Sequence, residues 1–302
     1  MPELPDIELY LSALSERITG HSLERVRLAV PFLLRSVEPP LADVEGRTVI
    51  GFRRIGKRIV WEFDGNLFLV FHLMIAGRFK WRDRGAVIPK KVGLAAFDFA
   101  DGTLLLTEVA TQKRASLHVV RGENALASFD PGGLEVTASD ESAFAAALQK
   151  ESHTLKRALT DPHLFSGIGN AYSDEILHRA GLSPFKLTRQ LSAEEIVRLR
   201  AATIATLTEW TDRLKCEAKH AFPEKVTAFH EGMAVHGRFG KPCPRCGTPV
   251  QRIVHGEHEV NYCPTCQTEG RLLADRALSK LLKDDWPKTL DALERRRKEQ
   301  AS

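Results

Sequence analysis

The sequence predicts an α+β fold: an N-terminal helix plus antiparallel β-sandwich, then a helical domain, then a small four-cysteine unit. Three observations carry this expectation. Apolar residues recur at helical spacing from Pro5 to Thr19. Short β-rich runs separated by turn residues fill Arg47 to Glu108, with no helix-length segment among them. Ala, Leu, Glu and Lys then dominate from Glu141 until the cysteines begin.

The first helix rests on Ile7, Leu11, Leu14 and Ile18, spaced by four, three and four residues so that one face is buried. Strands are expected at Thr48–Phe52, Arg58–Phe63, Leu67–Leu73, Leu94–Phe99 and Thr103–Thr107, with Asp101-Gly102 as a hairpin turn. The Ser-Phe-Asp-Pro-Gly-Gly stretch from Ser128 to Gly133 breaks this pattern. Helical composition follows over Glu141–Leu159, Ala171–Ala180 and Ala193–Leu214. Pro223 to Gly240 reads as a loop and Cys243 to Cys266 as a compact unit. Beyond it, helical spacing returns at Leu273, Ala277, Leu278, Leu281 and Leu282, and the charged end Glu294–Lys298 is expected to be solvated or frayed. These boundaries give domains at 1–130, 131–232, 233–267 and a tail at 268–302.

At 302 residues, with 43% hydrophobic and 27% charged side chains, the chain can bury two cores and is too balanced for disorder. No apolar run approaches a membrane span, and Glu3, Asp6, Glu8, Glu16 and Arg17 occupy the stretch where a signal peptide is apolar. A soluble, cytoplasmic protein with no membrane partner is expected. Five cysteines are too few for a disulfide scaffold. A net charge of +4 permits a polyanionic partner without demanding one.

Cys243-Pro-Arg-Cys246 and Cys263-Pro-Thr-Cys266, sixteen residues apart, match the spacing that sets four thiolates around Zn²⁺. With all four positions filled by protein, one zinc holds structure and does no chemistry. Its hairpin, Pro249 to Tyr262, carries Arg252, His255 and His258, and is the right size for a side chain to reach a phosphate. Cys216 stands alone and reads as a core residue. Between two helical stretches, Leu164-Phe-Ser-Gly-Ile-Gly-Asn170 forms a turn whose glycines admit close approach to an anion at the next helix's amino end. Asn170 either caps that helix or offers its amide to the phosphate.

Arg47, Arg53, Arg54, Lys57 and Arg58 make a basic run on a sheet edge or hairpin, either a polyanion surface or a solvated face. Arg78, Lys80, Arg82, Arg84, Lys90 and Lys91 suggest a mobile loop nearby. At the start, Met1-Pro-Glu-Leu-Pro-Asp-Ile-Glu8 places a small residue second, so aminopeptidase removal of Met1 leaves Pro2 as a secondary amine. Such an amine titrates near neutrality and is a good nucleophile, with Glu3 beside it to move a proton; the bland alternative is that Pro2 only helps a helix begin.

Together, Pro2-Glu-Leu-Pro-Asp6, Gly167-Ile-Gly-Asn-Ala-Tyr172 and the four cysteines resemble the formamidopyrimidine-DNA glycosylase and endonuclease VIII family of base-excision repair enzymes. The resemblance runs from Pro2 to about Gln267. It implies a helix-two-turn-helix element, damaged double-stranded DNA as partner, and a monomer acting at the nucleoid. It also implies that Pro2 attacks C1′ of a damaged nucleotide, that Glu3 donates a proton to the sugar, and that a Schiff base leads to β- then δ-elimination. Lys57 falls where the family keeps a lysine near the lesion phosphate, and Asn170 where it keeps a phosphate-gripping asparagine. The target must be extruded from the helix, so phosphates gripped on both sides would hold the duplex bent in a cleft between domains.

Departures from the family pattern bear on lesion choice. His72-Leu-Met-Ile-Ala-Gly77 moves the void-filling methionine to Met74 or replaces it by Ile75. In Thr111–Ser116, Arg114 can face the orphan base but no aromatic residue follows. His258 stands where the zinc hairpin commonly has an arginine, leaving Arg252 as another candidate for that phosphate. The expected activity is a bifunctional glycosylase and abasic-site lyase. Oxidised purines are the default target and oxidised pyrimidines such as 5-hydroxyuracil a contender. The alternatives are a non-catalytic lesion- or abasic-site-binding protein and a zinc-stabilised RNA-binding protein.

Overall fold

A computed structural model describes residues 1–219, 221–227, 229–255, 258–274 and 287–301. It divides into two compact units, Met1–Gly133 with Leu207–Ala228, and Leu134–Thr206 with Phe229–Ser302.

The first unit opens with α1 (Leu4–Ile18), whose Ile7, Tyr10, Leu14 and Ile18 are buried while Leu11 is only half-buried. Eight strands follow: β1 (Arg25–Leu28), β2 (Val49–Ile55), β3 (Arg58–Phe63), β4 (Leu67–His72), β5 (Gly77–Arg82), β6 (Gly93–Phe99), β7 (Gly102–Glu108) and β8 (Ser116–Arg121). They form two antiparallel sheets, ordered β1-β6-β7-β5 and β2-β3-β4-β8. Trp61 of the second sheet lies 5.0 Å from its neighbour Phe71 and 5.2 Å from Phe97 of the first, ring centre to ring centre. The aromatic core therefore sits between two facing sheets, as the expected sandwich requires. Tyr10 closes one side, meeting Phe79 edge-on at 5.5 Å and accepting the Phe79 N–H at 3.3 Å.

One expectation fails here, and one strand was not foreseen. Arg78, Lys80 and Arg82 belong to strand β5 rather than a mobile loop, because Phe79 and Trp81 alternate with them at the strand period of two, while Arg84, Lys90 and Lys91 lie in the connection to β6. In β1, half-buried Val26 and Leu28 alternate with Arg25 and Arg27 in the same way. The unit also holds a short helix, α2 (Glu123–Ala127).

In the second unit the stretch expected as one helix from Glu141 is two, α3 (Glu141–Gln149) and α4 (Leu155–Thr160). The backbone between them pairs elsewhere: Thr188 N–H donates to His153 O, and Thr154 bridges Leu187 before its side chain caps α4. Next come α5 (Asn170–Ala180) and α6 (Ala193–Ala218), whose residues from Leu207 on belong to the first unit. α5 stops at Gly181, which adopts φ 64° as a left-handed cap. α6 starts on a reciprocal Ser192–Glu195 cap. Its buried stripe runs through Leu207, Trp210 and Leu214, so Cys216 falls off the stripe and is exposed, contrary to the core placement expected for it.

The cysteine unit is the antiparallel hairpin β9 (Gln251–His255) and β10 (His258–Tyr262) followed by α7 (Pro264–Thr268). Of the apolar tail spacing, Ala277, Leu278, Leu281 and Leu282 lie outside the described residues. The chain end is helix α8 (Leu290–Ala301) rather than frayed, and Leu272 N–H donates to Lys288 O at 2.9 Å while Leu273 N–H donates to Tyr262 Oη at 2.8 Å. Among the described residues no helix is long and apolar enough to cross a membrane.

Candidate functional site

Within the first unit, the chain start is held by its own acids. Glu3 is the residue before α1, and its N–H donates to Asp6 Oδ2 at 2.8 Å, half of a capping box whose reciprocal contact runs from the Asp6 backbone to the Glu3 side chain. Pro2, Glu3 and Asp6 are all buried, and Pro5 sits in the first turn where its missing N–H costs nothing. Asp6 is thereby explained as the residue that fixes Glu3. Burial is the chief reason that the α-amine of Met1 titrates below its ordinary value. Glu3 opposes, Arg78 reinforces, and Asp6 and Lys57 follow with smaller opposing and reinforcing effects. Glu3, Arg78 and Lys57 thus all act on the nitrogen of Met1, one residue ahead of Pro2.

Lys57 occupies the two-residue turn between β2 and β3, after Gly56 at φ 58°, whose carbonyl accepts from Arg54 Nη1 at 2.9 Å. β2 is an edge strand, as its charge suggested, but most of the basic run is engaged internally rather than offered as a polyanion surface. Arg53 pairs with Glu62 and Glu123, Arg54 with Glu8, and Arg47 lies 3.7 Å from Asp64. Arg58 donates to Phe129 O at 3.1 Å. Burial, with Arg58 and Lys57 adding to it, pushes His72 down to about 4, so its ring is neutral near pH 7.

The two loops expected to probe DNA sit at one end of the sheet containing β5 and β7, where Gly77 pairs with Glu108. In the turn between β4 and β5, Met74 adopts φ 52° and Ile75 is 59% exposed, so of the two it is Ile75 that projects. Arg78 Nη1 braces the turn through the carbonyls of Ile75 and Gly77. On the neighbouring loop Arg114 is exposed and its side chain donates to Gln112 Oε1 at 2.9 Å. The loop is held by Glu108, a buried carboxylate that accepts the N–H groups of Arg114 and Ala115 at 2.9 to 3.1 Å. Sequence reading overlooked Glu108; only its position at the end of an otherwise apolar strand hinted at a task.

In the second unit the turn from Leu164 to Gly169 is tied down by Leu134, whose N–H donates to Leu164 O while its O accepts from Ser166, both at 2.9 Å. Gly167 adopts φ 77° within that turn. Gly169, not Asn170, is the capping residue of α5, so the capping alternative for Asn170 falls. Its Nδ2 instead donates to Glu259 O on β10 at 2.9 Å. One turn further, buried Asp174 accepts from Lys156 Nζ at 2.5 Å and from the Asn261 N–H at 3.1 Å, and faces His236 Nδ1 at 2.8 Å. Neither Lys156 nor Asp174 was singled out from the sequence, where both look like ordinary helix-surface charges.

The sulfurs of Cys243, Cys246, Cys263 and Cys266 all lie within 4.8 Å of one another, with Cys243–Cys266 at 3.9 Å and Cys246–Cys263 at 3.4 Å. A tetrahedron with Zn–S bonds of about 2.3 Å has edges of about 3.8 Å, so the four residues fit one zinc and leave no open position for chemistry. His178 Nε2 approaches Cys243 Sγ at 3.2 Å, and burial, with Arg245 adding to it, pushes that ring down to about 4. Arg252 stacks on Phe239 at 4.5 Å and lies 3.5 Å from Glu259. The His258 side chain lies outside the described residues.

Residues 1–118 match the formamidopyrimidine-DNA glycosylase N-terminal domain, residues 133–216 its H2TH domain, and residues 240–268 the zinc finger found in FPG and IleRS. A formamidopyrimidine-DNA glycosylase of Geobacillus kaustophilus is 32% identical over 277 residues, covering 88% of this chain and 100% of the relative. The chain belongs to the formamidopyrimidine-DNA glycosylase family. The enzyme of that name from Exiguobacterium sp. is 30% identical over 279 residues, covering 88% of this chain and 99% of its own. Among solved structures, the Lactococcus lactis Fpg complex with abasic-site DNA superposes with a TM-score of 0.79 at 27% identity, covering 88% of this chain and 99% of the other. A complex of that enzyme with oxidized-pyrimidine DNA gives 0.78 at the same identity, covering 88% and 100%. This family member is a DNA glycosylase for damaged DNA in base excision repair, with one structural zinc on its four cysteines.

Proposed function

We propose that the enzyme is a bifunctional glycosylase and abasic-site lyase working through Pro2. The reading rests chiefly on the amino terminus: Pro2 is buried with buried Glu3 next to it, and the charges of Arg78 and Lys57 reach the Met1 amine one residue ahead. With Met1 removed, the Pro2 lone pair attacks C1′ while the glycosidic bond breaks and the base leaves with the bonding pair. Glu3 takes the proton released from the Pro2 nitrogen and passes it to the sugar ring oxygen; as the C1′–ring oxygen bond breaks, the nitrogen lone pair forms an iminium linking Pro2 to C1′. Loss of the C2′ proton then expels the 3′ phosphate, and a second elimination expels the 5′ phosphate. Lys57, at its turn near the amine, faces the lesion phosphate; Asn170 and Arg252 grip the backbone, with His258 or Arg252 in place of the usual hairpin arginine. Ile75 fills the space left by the extruded nucleotide and Arg114 faces the orphan base.

Oxidised purines are the primary substrates. Oxidised pyrimidines form a second class, favoured by the absence of an aromatic residue on the Arg114 loop. Duplexes carrying single 8-oxoguanine or 5-hydroxyuracil lesions test this: the Met1-free enzyme should release the base and leave a gap with phosphate on both sides. Selective lesion binding with no incision would establish the non-catalytic reading instead.

A further inference from the structure

Four polar residues of α5 reach into the zinc unit from one face of the helix. Asn170, Asp174, Glu175 and His178 are spaced by four, one and three residues, so they share a side. Asn170 Nδ2 donates to Glu259 O at 2.9 Å. Asp174 Oδ2 takes the Asn261 N–H at 3.1 Å and the Asn261 side-chain amide at 3.3 Å. Glu175 takes the N–H groups of Ala234, Val235 and His236 at 2.7 to 2.9 Å. Last in this row is His178, with Nε2 3.2 Å from Cys243 Sγ.

A zinc-bound thiolate has lost its proton and can only accept, and the ring N–H of a buried imidazole is the matching donor. We propose that His178 donates its Nε2–H to the zinc-bound Cys243 thiolate, and that zinc loading thereby holds the Asn170 turn in the placement that grips phosphate. His178 is a positioning residue: it acts on DNA only through the helix it belongs to. The helix transmits the constraint because eight residues separate His178 from Asn170, about 12 Å of rigid rod at 1.5 Å per residue. With the Cys243 contact near one end of α5 and the Glu259 contact at the other, the cysteine cluster and the phosphate turn form one mechanical unit. The second half of the proposal rests on the phosphate-gripping reading of Asn170.

Cobalt-substituted protein tests the bond directly, because a hydrogen bond to a metal-bound thiolate raises the energy of its sulfur-to-metal charge-transfer band. His178→Phe should move that band to longer wavelength and speed transfer of zinc to a chelator, in line with the 10- to 100-fold losses of metal affinity typical of outer-shell partners. It should also weaken binding to an abasic-site duplex. His178→Gln, which restores a donor, should recover all three and guards against a Phe variant that fails to fold. An unchanged band and release rate in a folded His178→Phe protein would overturn the hydrogen bond. A shifted band with unchanged DNA affinity would overturn the coupling. Asn170→Ala is the separate arm: unchanged DNA affinity there would sink the reading of Asn170 while leaving the charge-transfer result intact.

Discussion

On the proposed mechanism, the nucleophile at the chain start must be free of its proton, and the side chains around it bear on that. Burial does most to lower the pKa of the Met1 amine, with Glu3 and Asp6 opposing it and Arg78 and Lys57 reinforcing it, and removal of Met1 should leave the same groups acting on the Pro2 nitrogen one residue on. A lowered amine pKa means the neutral, nucleophilic form is already present at a lower pH, so the rate of covalent attack rises with pH through that lowered pKa and then levels off. Arg78→Met removes a reinforcing cation. The acidic limb of the single-turnover trapping rate should therefore move to higher pH with the plateau retained; an unmoved limb would remove Arg78 from the account. The same neighbourhood shows what sequence reading reaches at this scale. Pro2 and Glu3 stood out because their chemistry is unusual at a chain start. The part played by Asp6 did not, because a capping box depends on a hydrogen bond of 2.8 Å that only folding creates.

At the scale of elements, the turn that presents Ile75 depends on Gly77. A Cβ added there would lie 2.3 Å from Leu73 O and 3.0 Å from Leu73 Cα, and backbone atoms cannot swing aside. Gly77→Ala should cost about 1–3 kcal/mol as overpacking does and weaken incision of lesion duplexes. Thermal melting and a turnover assay check this, and a variant with wild-type stability would show that the turn yields more easily than its geometry implies. α1 was legible from periodicity, β4 from its β-rich run between turns and α6 from its helical composition. β5 was misread because three cations in alternate positions look like a solvated loop unless buried Phe79 and half-buried Trp81 are counted as the apolar half of a strand. The split between α3 and α4 was illegible for a different reason, since it is set by pairing with Leu187 and Thr188 more than thirty residues away.

For the molecule as a whole, the zinc finger is the part with least core of its own: Val235, Cys243, Val250 and Cys263 are its buried cluster. Structural zinc contributes on the order of 10 kcal/mol to such units, so chelation or Cys263→Ser should unfold the finger and abolish DNA binding. Trp61, Trp81 and Trp210 all belong to the first unit, and their fluorescence should be preserved; retained DNA binding after zinc removal would contradict this role for the finger. Here the sequence was most informative, because two Cys-x-x-Cys pairs at fixed spacing have few other uses. It was least informative about the stretch after residue 268, where the family pattern ends and the backbone nonetheless returns to Tyr262.

The central claim is a covalent bond between Pro2 and the deoxyribose. Borohydride added during reaction of the Met1-free enzyme with an oxidised or abasic duplex should give an adduct whose tryptic mass places the sugar on the amino-terminal peptide, and Pro2→Gly should lose or sharply slow it. Efficient strand cleavage with no trapped adduct, or an adduct mapped to Lys57, would contradict the account.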